Sequence, residues 1–401
     1  MNSFIKNNRV LQVINIVLFS LTTTSALAIE HQDPEFFQVG DFFLIPSLSV
    51  NESYNNNIFL QDNGRKDSAI TVINPKARVA YEGEYSLTTL DVSLNKGFYH
   101  SSSSDNYLDT GIKIGTEMFP SERVQFGASL ARTEGHDNRG VGLQDGLSAF
   151  DFNSPHEYYS VIGLADLEYG TRVEGAARLE AAISLEDKKY ENHRTVTSTL
   201  DRDTGNVTVG LFYMLAPATS ILIEGRYGDI DYDTSTADSK EYQAMIGLEW
   251  EATYQTTGFI KLGVAEKDFA SATLTDSTEP AWEVGVDWSP LSYSIVTLRT
   301  AKGFSEGEGT GHFVNAETVS IDWRHDWYDH IGTQVMLEYK TDEYGGSSRE
   351  DDISSMVLGA DYQYNPWLLV NAGIIYEERE STLLGFDYNN TIYSLNFKLN
   401  L

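Results

Sequence analysis

The run Asp322-Trp323-Arg324-His325-Asp326-Trp327-Tyr328-Asp329-His330 gathers two imidazoles and three carboxylates within nine residues. Acid–base or nucleophilic catalysis draws on such groups when one lies within hydrogen-bond reach of the reacting atom and a third group orients it. The other six histidines, His31, His100, His136, His156, His193 and His312, are dispersed along the chain. Cysteine is absent, which removes thiolate nucleophiles and thiolate metal ligands. Trp323, Trp327 and Tyr328 beside a predicted short turn give the cluster a simpler reading, an aromatic girdle flanked by charges. No catalytic residue, no cofactor and no enzyme activity are expected.

The segment GDIDYDTSTADSKE, residues 228–241, spaces carboxylates two apart but lacks the helix-flanked pattern and glutamate of a calcium hand. It reads as a solvated acidic loop, and no metal site is expected. No Gly-x-x-x-x-Gly-Lys-Ser/Thr loop is present to bind a nucleotide. The more useful chemistry lies in charges that share one strand face. Arg178, Arg226, Lys261, Arg299 and Lys340 alternate with apolar neighbours, and Glu180, Glu224, Glu249, Asp287 and Glu338 fall among them on the same parity. If that face lines water, these ten residues form a ladder that hydrogen-bonds a passing solute, or pairs across strands to hold the wall.

The elements that would carry the ladder are strands. In residues 173–185, Val173, Ala177, Leu179, Ala181, Ile183 and Leu185 occupy one parity, while Glu174, Arg178, Glu180 and Ser184 occupy the other. The same period of two recurs in residues 242–251, 282–288 and 334–340, and aromatics such as Trp250, Trp288, Tyr339 and Tyr376 close the apolar faces. The last strand, Tyr393 to Leu401, is apolar on one parity to its final residue. Two faces in different surroundings, with aromatics at the margins, fit strands between lipid and an aqueous lumen.

Connections alternate in length. Short ones fall near Gly83-Glu84, Pro120-Ser121, Gly170-Thr171, Ala216–Thr219, Gln255–Thr257, Ser289–Leu291, Tyr328-Asp329 and Asn365-Pro366. Longer polar ones include residues 55–68, 135–156, 192–204, 231–240, 341–352 and 377–387. This predicts an all-β fold, an antiparallel transmembrane barrel of about 18 strands with short periplasmic turns and long extracellular loops. Lys6 and Arg9 precede the apolar stretch Val10–Leu21, and Ser25-Ala26-Leu27-Ala28 offers small residues for cleavage, so residues 1–28 read as a secretory signal. Residues 29–40 are then a short periplasmic segment, and 41–401 the barrel in the outer membrane of a Gram-negative cell. The net charge of −31, concentrated in loops, argues against nucleic acid as a partner.

Several stretches carry a resemblance. PSLSVNESYNNNIF (46–59), INPKARVAYEGEYSLTTLDVS (73–93), GFYHSSSSDNYLD, VDWSPLSYSIVTLRTAKGFSE and YEERESTLLGFDYNNTIYSLNFKLNL stand in an order that resembles the outer-membrane β-barrel porins associated with exopolysaccharide export, the EpsL and VpsM type. The resemblance implies a passive conduit for an extracellular or capsular polysaccharide, with a polysaccharide chain and a periplasmic export protein as partners. It also implies outer-membrane lipids around the barrel and the barrel assembly machinery at its biogenesis, although Leu401 stands where many such chains end on an aromatic. The alternative is a general or solute-specific diffusion porin. That reading predicts a constriction made by a long loop folded inward, with residues 135–156 as the candidate.

Overall fold

The computed structural model describes residues 36–400 except Tyr254, together with the backbone but not the side chains of residues 252 and 253. The signal sequence read at 1–28, residues 29–35 and the terminal Leu401 lie outside the described residues.

Strand-forming parity becomes nineteen strands among the described residues. The first nine are β1 (Phe37–Val39), β2 (Phe42–Asn55), β3 (Ser68–Glu82), β4 (Ser86–Tyr99), β5 (Tyr107–Ser121), β6 (Val124–Asp137), β7 (His156–Gly170), β8 (Ala177–Tyr190) and β9 (Arg202–Ala216). Then come β10 (Thr219–Tyr232), β11 (Ser239–Thr253), β12 (Thr256–Phe269), β13 (Ser277–Leu291) and β14 (Ser294–Glu306). The last five are β15 (Phe313–Tyr328), β16 (Ile331–Gly345), β17 (Glu350–Asn365), β18 (Leu368–Ser381) and β19 (Tyr388–Asn400). Each pairs antiparallel with its sequence neighbour, and β19 returns to β2, with Tyr393 opposite Tyr54 and Leu399 opposite Leu48. That last pairing closes an 18-strand barrel. Strand β1 makes only a three-residue ladder with β2 through the turn at Gly40, so part of the segment expected to precede the barrel is hydrogen-bonded to it.

The strands are 13 to 16 residues long outside β1. At about 3.3 Å per residue and a tilt near 40°, they rise roughly 35 Å, more than the apolar band of about 25 Å. Both ends therefore project from the hydrocarbon. On β9, Val207, Val209, Leu211, Tyr213 and Leu215 are exposed while the intervening Gly210 and Phe212 are buried. On β19, Tyr393, Leu395 and Phe397 face outward in the same way, so the apolar parity of the last strand meets lipid. Tyr81, Tyr169, Tyr213, Trp288 and Tyr362 girdle one margin, and Tyr54, Tyr242, Tyr339 and Tyr393 the other.

Connections at the first margin have two to six residues, and those at the second four to eighteen. Turn positions differ from the sequence reading at two places. The hairpins follow Ser121 and Leu291 rather than Pro120 and Ser289, because a register irregularity after Met118 and after Trp288 carries the strand past its proline. The loop read at 341–352 shrinks to 346–349, since Thr341 and Asp342 pair with Asp352 and Asp351 in the ladder.

The two faces predict opposite responses to charge. Val209→Arg, outward and midway along β9, should destabilise the barrel by about 2–4 kcal/mol in lipid vesicles. Thr208→Arg, inward, should cost far less, as read by urea unfolding of each variant.

Candidate functional site

The eighteen residues between β6 and β7 fold into the mouth of the barrel and cross it. Two short 3-10 turns, Gly142–Gln144 and Gly146–Phe150, compact this crossing loop. Gly142 and Gly146 adopt positive φ of 58° and 57°. A Cβ on Gly142 would stand 3.1 Å from the Glu308 carbonyl oxygen, and one on Gly146 would stand 3.0 Å from that of Gly385. Only glycine combines that backbone with such approaches at no cost. Gln61 donates its amide to the Gly146 carbonyl at 2.7 Å, tying the loop of residues 56–67 to the crossing loop. Beneath them Ile58, Phe59, Ile70 and Ala149 form a small apolar core, with Phe59 edge-on to Phe150 at 5.8 Å.

Two ionic latches hold the crossing. Asp145 accepts from Arg379 at 2.6 and 3.0 Å and from Arg349 at 2.8 Å, residues 234 and 204 positions away. Both arginines also face the fully buried Asp351, at 3.8 Å from Arg379 and 3.0 Å from the Arg349 Nε. Phe386 and Tyr344 stack on the Arg349 guanidinium at 4.0 and 4.3 Å. Bidentate guanidinium–carboxylate contacts in a dry setting are the strong class of charge-assisted hydrogen bond. Burial would pull the Arg349 guanidinium down, but Asp351 and Asp145 outweigh it and hold it above its ordinary value.

The second latch is Glu308, in the β14–β15 loop. It accepts from Arg202 at 3.1 Å and Lys188 at 3.3 Å on β9 and β8. Gly309 abuts the Gly142 carbonyl, so the two loops support each other. Burial pushes the Glu308 carboxyl up, whereas Lys188 and Arg202 outweigh that and leave it below the ordinary carboxylate range.

The ten ladder residues lie on the face opposite the exposed apolar one, and nine of them fall into four separate ion-paired groups. Arg178 binds Glu180 at 2.8 Å and Glu249 at 3.3 Å, with Arg172 from the adjacent turn 3.7 Å from Glu249. Glu224 meets Arg226 at 2.5 Å and Lys261 at 2.8 Å, and Glu283 completes a square, 2.5 Å from Arg226 and 3.4 Å from Lys261. Arg299 reaches both oxygens of Asp287 at 2.8 Å. Lys340 pairs with Asp342 at 2.7 Å rather than with Glu338, one of whose oxygens is buried without a partner. Glu283 and the fully buried Lys267, which bridges Glu241 and Glu306 at 2.6 Å each, belong to the same paired lining. The sequence reading left both unassigned, although their polar parity marked the face. Arg226 is consequently a poor place to test transport, because reversing its charge would leave two carboxylates facing a third.

Water reaches a different part of the wall. Lys76, Arg78 and Lys113 on β3 and β5 are exposed inward residues, and Arg78 keeps 55% of its side chain accessible while bonded to Asp91 at 2.5 Å. Their inward neighbours Ser47, Ser93 and Gly111 are small: Ser47 and Ser93 flank Lys76, and Gly111 faces Ser93. The open sector thus runs along β2–β5. The Asp322–His330 cluster lies at the opposite, short-turn margin, where His325 packs between Trp323 and Trp327 at 5.6 and 4.3 Å.

The Glu308 latch has a pH signature. A carboxyl with a depressed folded value contributes fully above the ordinary glutamate value, about 4.3, and loses its contribution as pH falls through the lower folded value. Single-channel conductance of the wild type should therefore rise below about pH 4. Glu308→Gln should show the larger conductance already at neutral pH and lack the Glu308-dependent part of the acid step.

Residues 33–401 match the model of a family described as Putative beta-barrel porin 2. Among solved structures, the fold is similar to the outer membrane protein opdK from Pseudomonas aeruginosa, at 13% identity and a TM-score of 0.51, covering 89% of this chain and 99% of that one. It is similar also to OccK5 (OpdH) from Pseudomonas aeruginosa, at 11% identity and a TM-score of 0.51, covering 89% and 98%. A BenF-like porin from Pseudomonas fluorescens Pf-5 gives 8% identity and a TM-score of 0.50, covering 89% and 99%. No curated protein sequence matches the chain.

Proposed function

Because the chain belongs to the Putative beta-barrel porin 2 family and is an outer-membrane porin, we propose that it works as a passive, solute-selective diffusion channel for small anionic solutes. The observation that carries this reading is the crossing loop, latched at Asp145 and packed against the Glu308 loop, which narrows the mouth of a barrel wide enough for water. A narrowed, rigid mouth suits molecules a few ångströms across. Selectivity comes from the open sector: most inward cations elsewhere are buried in pairs, whereas Lys76, Arg78 and Lys113 meet water, with Asp91 bonded to Arg78 and opposite Lys113 in the ladder and Glu117 acting on Lys113. Focused by low-dielectric walls, these water-accessible cations raise the local concentration of anions beside them. The ten ladder residues then act chiefly by holding the wall, and only their water-accessible members meet solute.

Polysaccharide export, implied by the sequence resemblance, is the second reading. It requires both latches to release so that a polymer can thread, and a periplasmic partner to drive that release; the simpler channel needs none.

Planar-bilayer reversal potentials in a chloride gradient test the selectivity. The wild type should favour anions, and Arg78→Glu with Lys113→Glu should invert the preference; cation preference in the wild type would overturn it. Deleting the chain separates the two readings. The channel reading expects slower uptake of small organic anions with the extracellular matrix intact, and loss of matrix with polymer held in the periplasm would establish export.

A further inference from the structure

Where the crossing loop rejoins the wall, three buried Lewis-basic atoms have no hydrogen-bond partner: Gln144 Oε1, His156 Nε2 and His193 Nδ1. They come from three elements, the crossing loop, the first residue of β7, and the loop between β8 and β9. Gln144 is wholly buried and His156 is 1% exposed. Leaving a buried polar atom without a partner is unfavourable, so three in one neighbourhood call for a ligand.

The neighbourhood is shared. Gln144 donates its amide to the Ser154 carbonyl at 3.0 Å, Ser154 Oγ lies 3.4 Å from His193 Nε2, and Phe152 packs on both imidazoles, at 5.3 and 4.4 Å. The two imidazole centroids are 5.1 Å apart with their planes at 62°. Two imidazoles sharing a tetrahedral ion at about 2.0–2.1 Å from each nitrogen have ring centres about 5 Å apart. His193 also holds a left-handed backbone with φ of 50°, which few residues besides glycine, asparagine, aspartate and histidine adopt.

We propose that His156 Nε2, His193 Nδ1 and Gln144 Oε1 bind a divalent transition cation of the zinc type, which fastens the crossing loop to the barrel wall. Imidazole nitrogen selects such ions over magnesium or calcium, and water completes the coordination. Because the third donor is an amide, no histidine or carboxylate triad marks the site in the sequence.

The test uses the full chain refolded in detergent, with Zn2+ for calorimetric titration and Co2+ as the spectroscopic probe. One equivalent should bind saturably, Co2+ should show the visible bands of a four-coordinate nitrogen-bearing site, and Mg2+ should not compete. His193→Asn, which keeps a residue tolerant of positive φ, and His156→Asn should each weaken Zn2+ binding at least about tenfold, whereas His136→Asn should not. His193→Asn lies outside the strands and should fold, as retention of the β-sheet circular dichroism will report. Absence of saturable Zn2+ binding, or equal affinity in His193→Asn with the fold retained, overturns the site. Binding is read without reference to transport, so its failure is separate from failure of the channel reading.

Discussion

Inside a hydrocarbon slab a backbone N–H or C=O without a partner costs several kcal/mol, and no water is present to supply one. The ladder between β19 and β2 meets that constraint for the whole molecule, because it removes the two edges that an open sheet would expose. Everything else follows from closure. Alternating side chains are divided between lipid and interior, the apolar parity of the last strand gains its environment, and charges on the other parity are brought within reach of strands that are not sequence neighbours.

Those interior charges would each be costly if left alone in a low-dielectric setting. They are instead collected into pairs and squares, such as Glu224 and Glu283 against Arg226 and Lys261. The pairing stiffens one part of the wall and leaves β2–β5, with its small side chains, as the sector where water and cations meet. The crossing loop then converts a wide barrel into a narrow one, and its two latches draw on carboxylates and cations from opposite regions of the wall.

The barrel was legible in the sequence because parity is local. Val209 and Leu211 on β9 or Tyr393 and Phe397 on β19 announce their face within a few residues, and loop lengths announce the two ends. Residues 135–156 were also recognisable as the loop able to fold inward, by length alone. What the sequence did not disclose depends on closure. Arg178 finds Glu249 and Arg226 finds Glu283 three strands further along, and Asp145 finds partners more than two hundred positions away. No spacing rule links such residues, so nine of the ten residues read as one set of lining charges resolve into four ion-paired groups, and the exposed cations Lys76, Arg78 and Lys113 went unremarked. The meeting of Gln144, His156 and His193 is of the same kind.

The most direct measurement is the single-channel conductance of Asp145→Ala beside the wild type in planar bilayers at neutral pH. With its carboxylate gone, Arg349 and Arg379 lose their hold on the crossing loop, and the account predicts a larger conductance with weaker discrimination between small and large anions. An unchanged conductance and unchanged discrimination would contradict it, because the latched loop would then not be what sets the width of the channel.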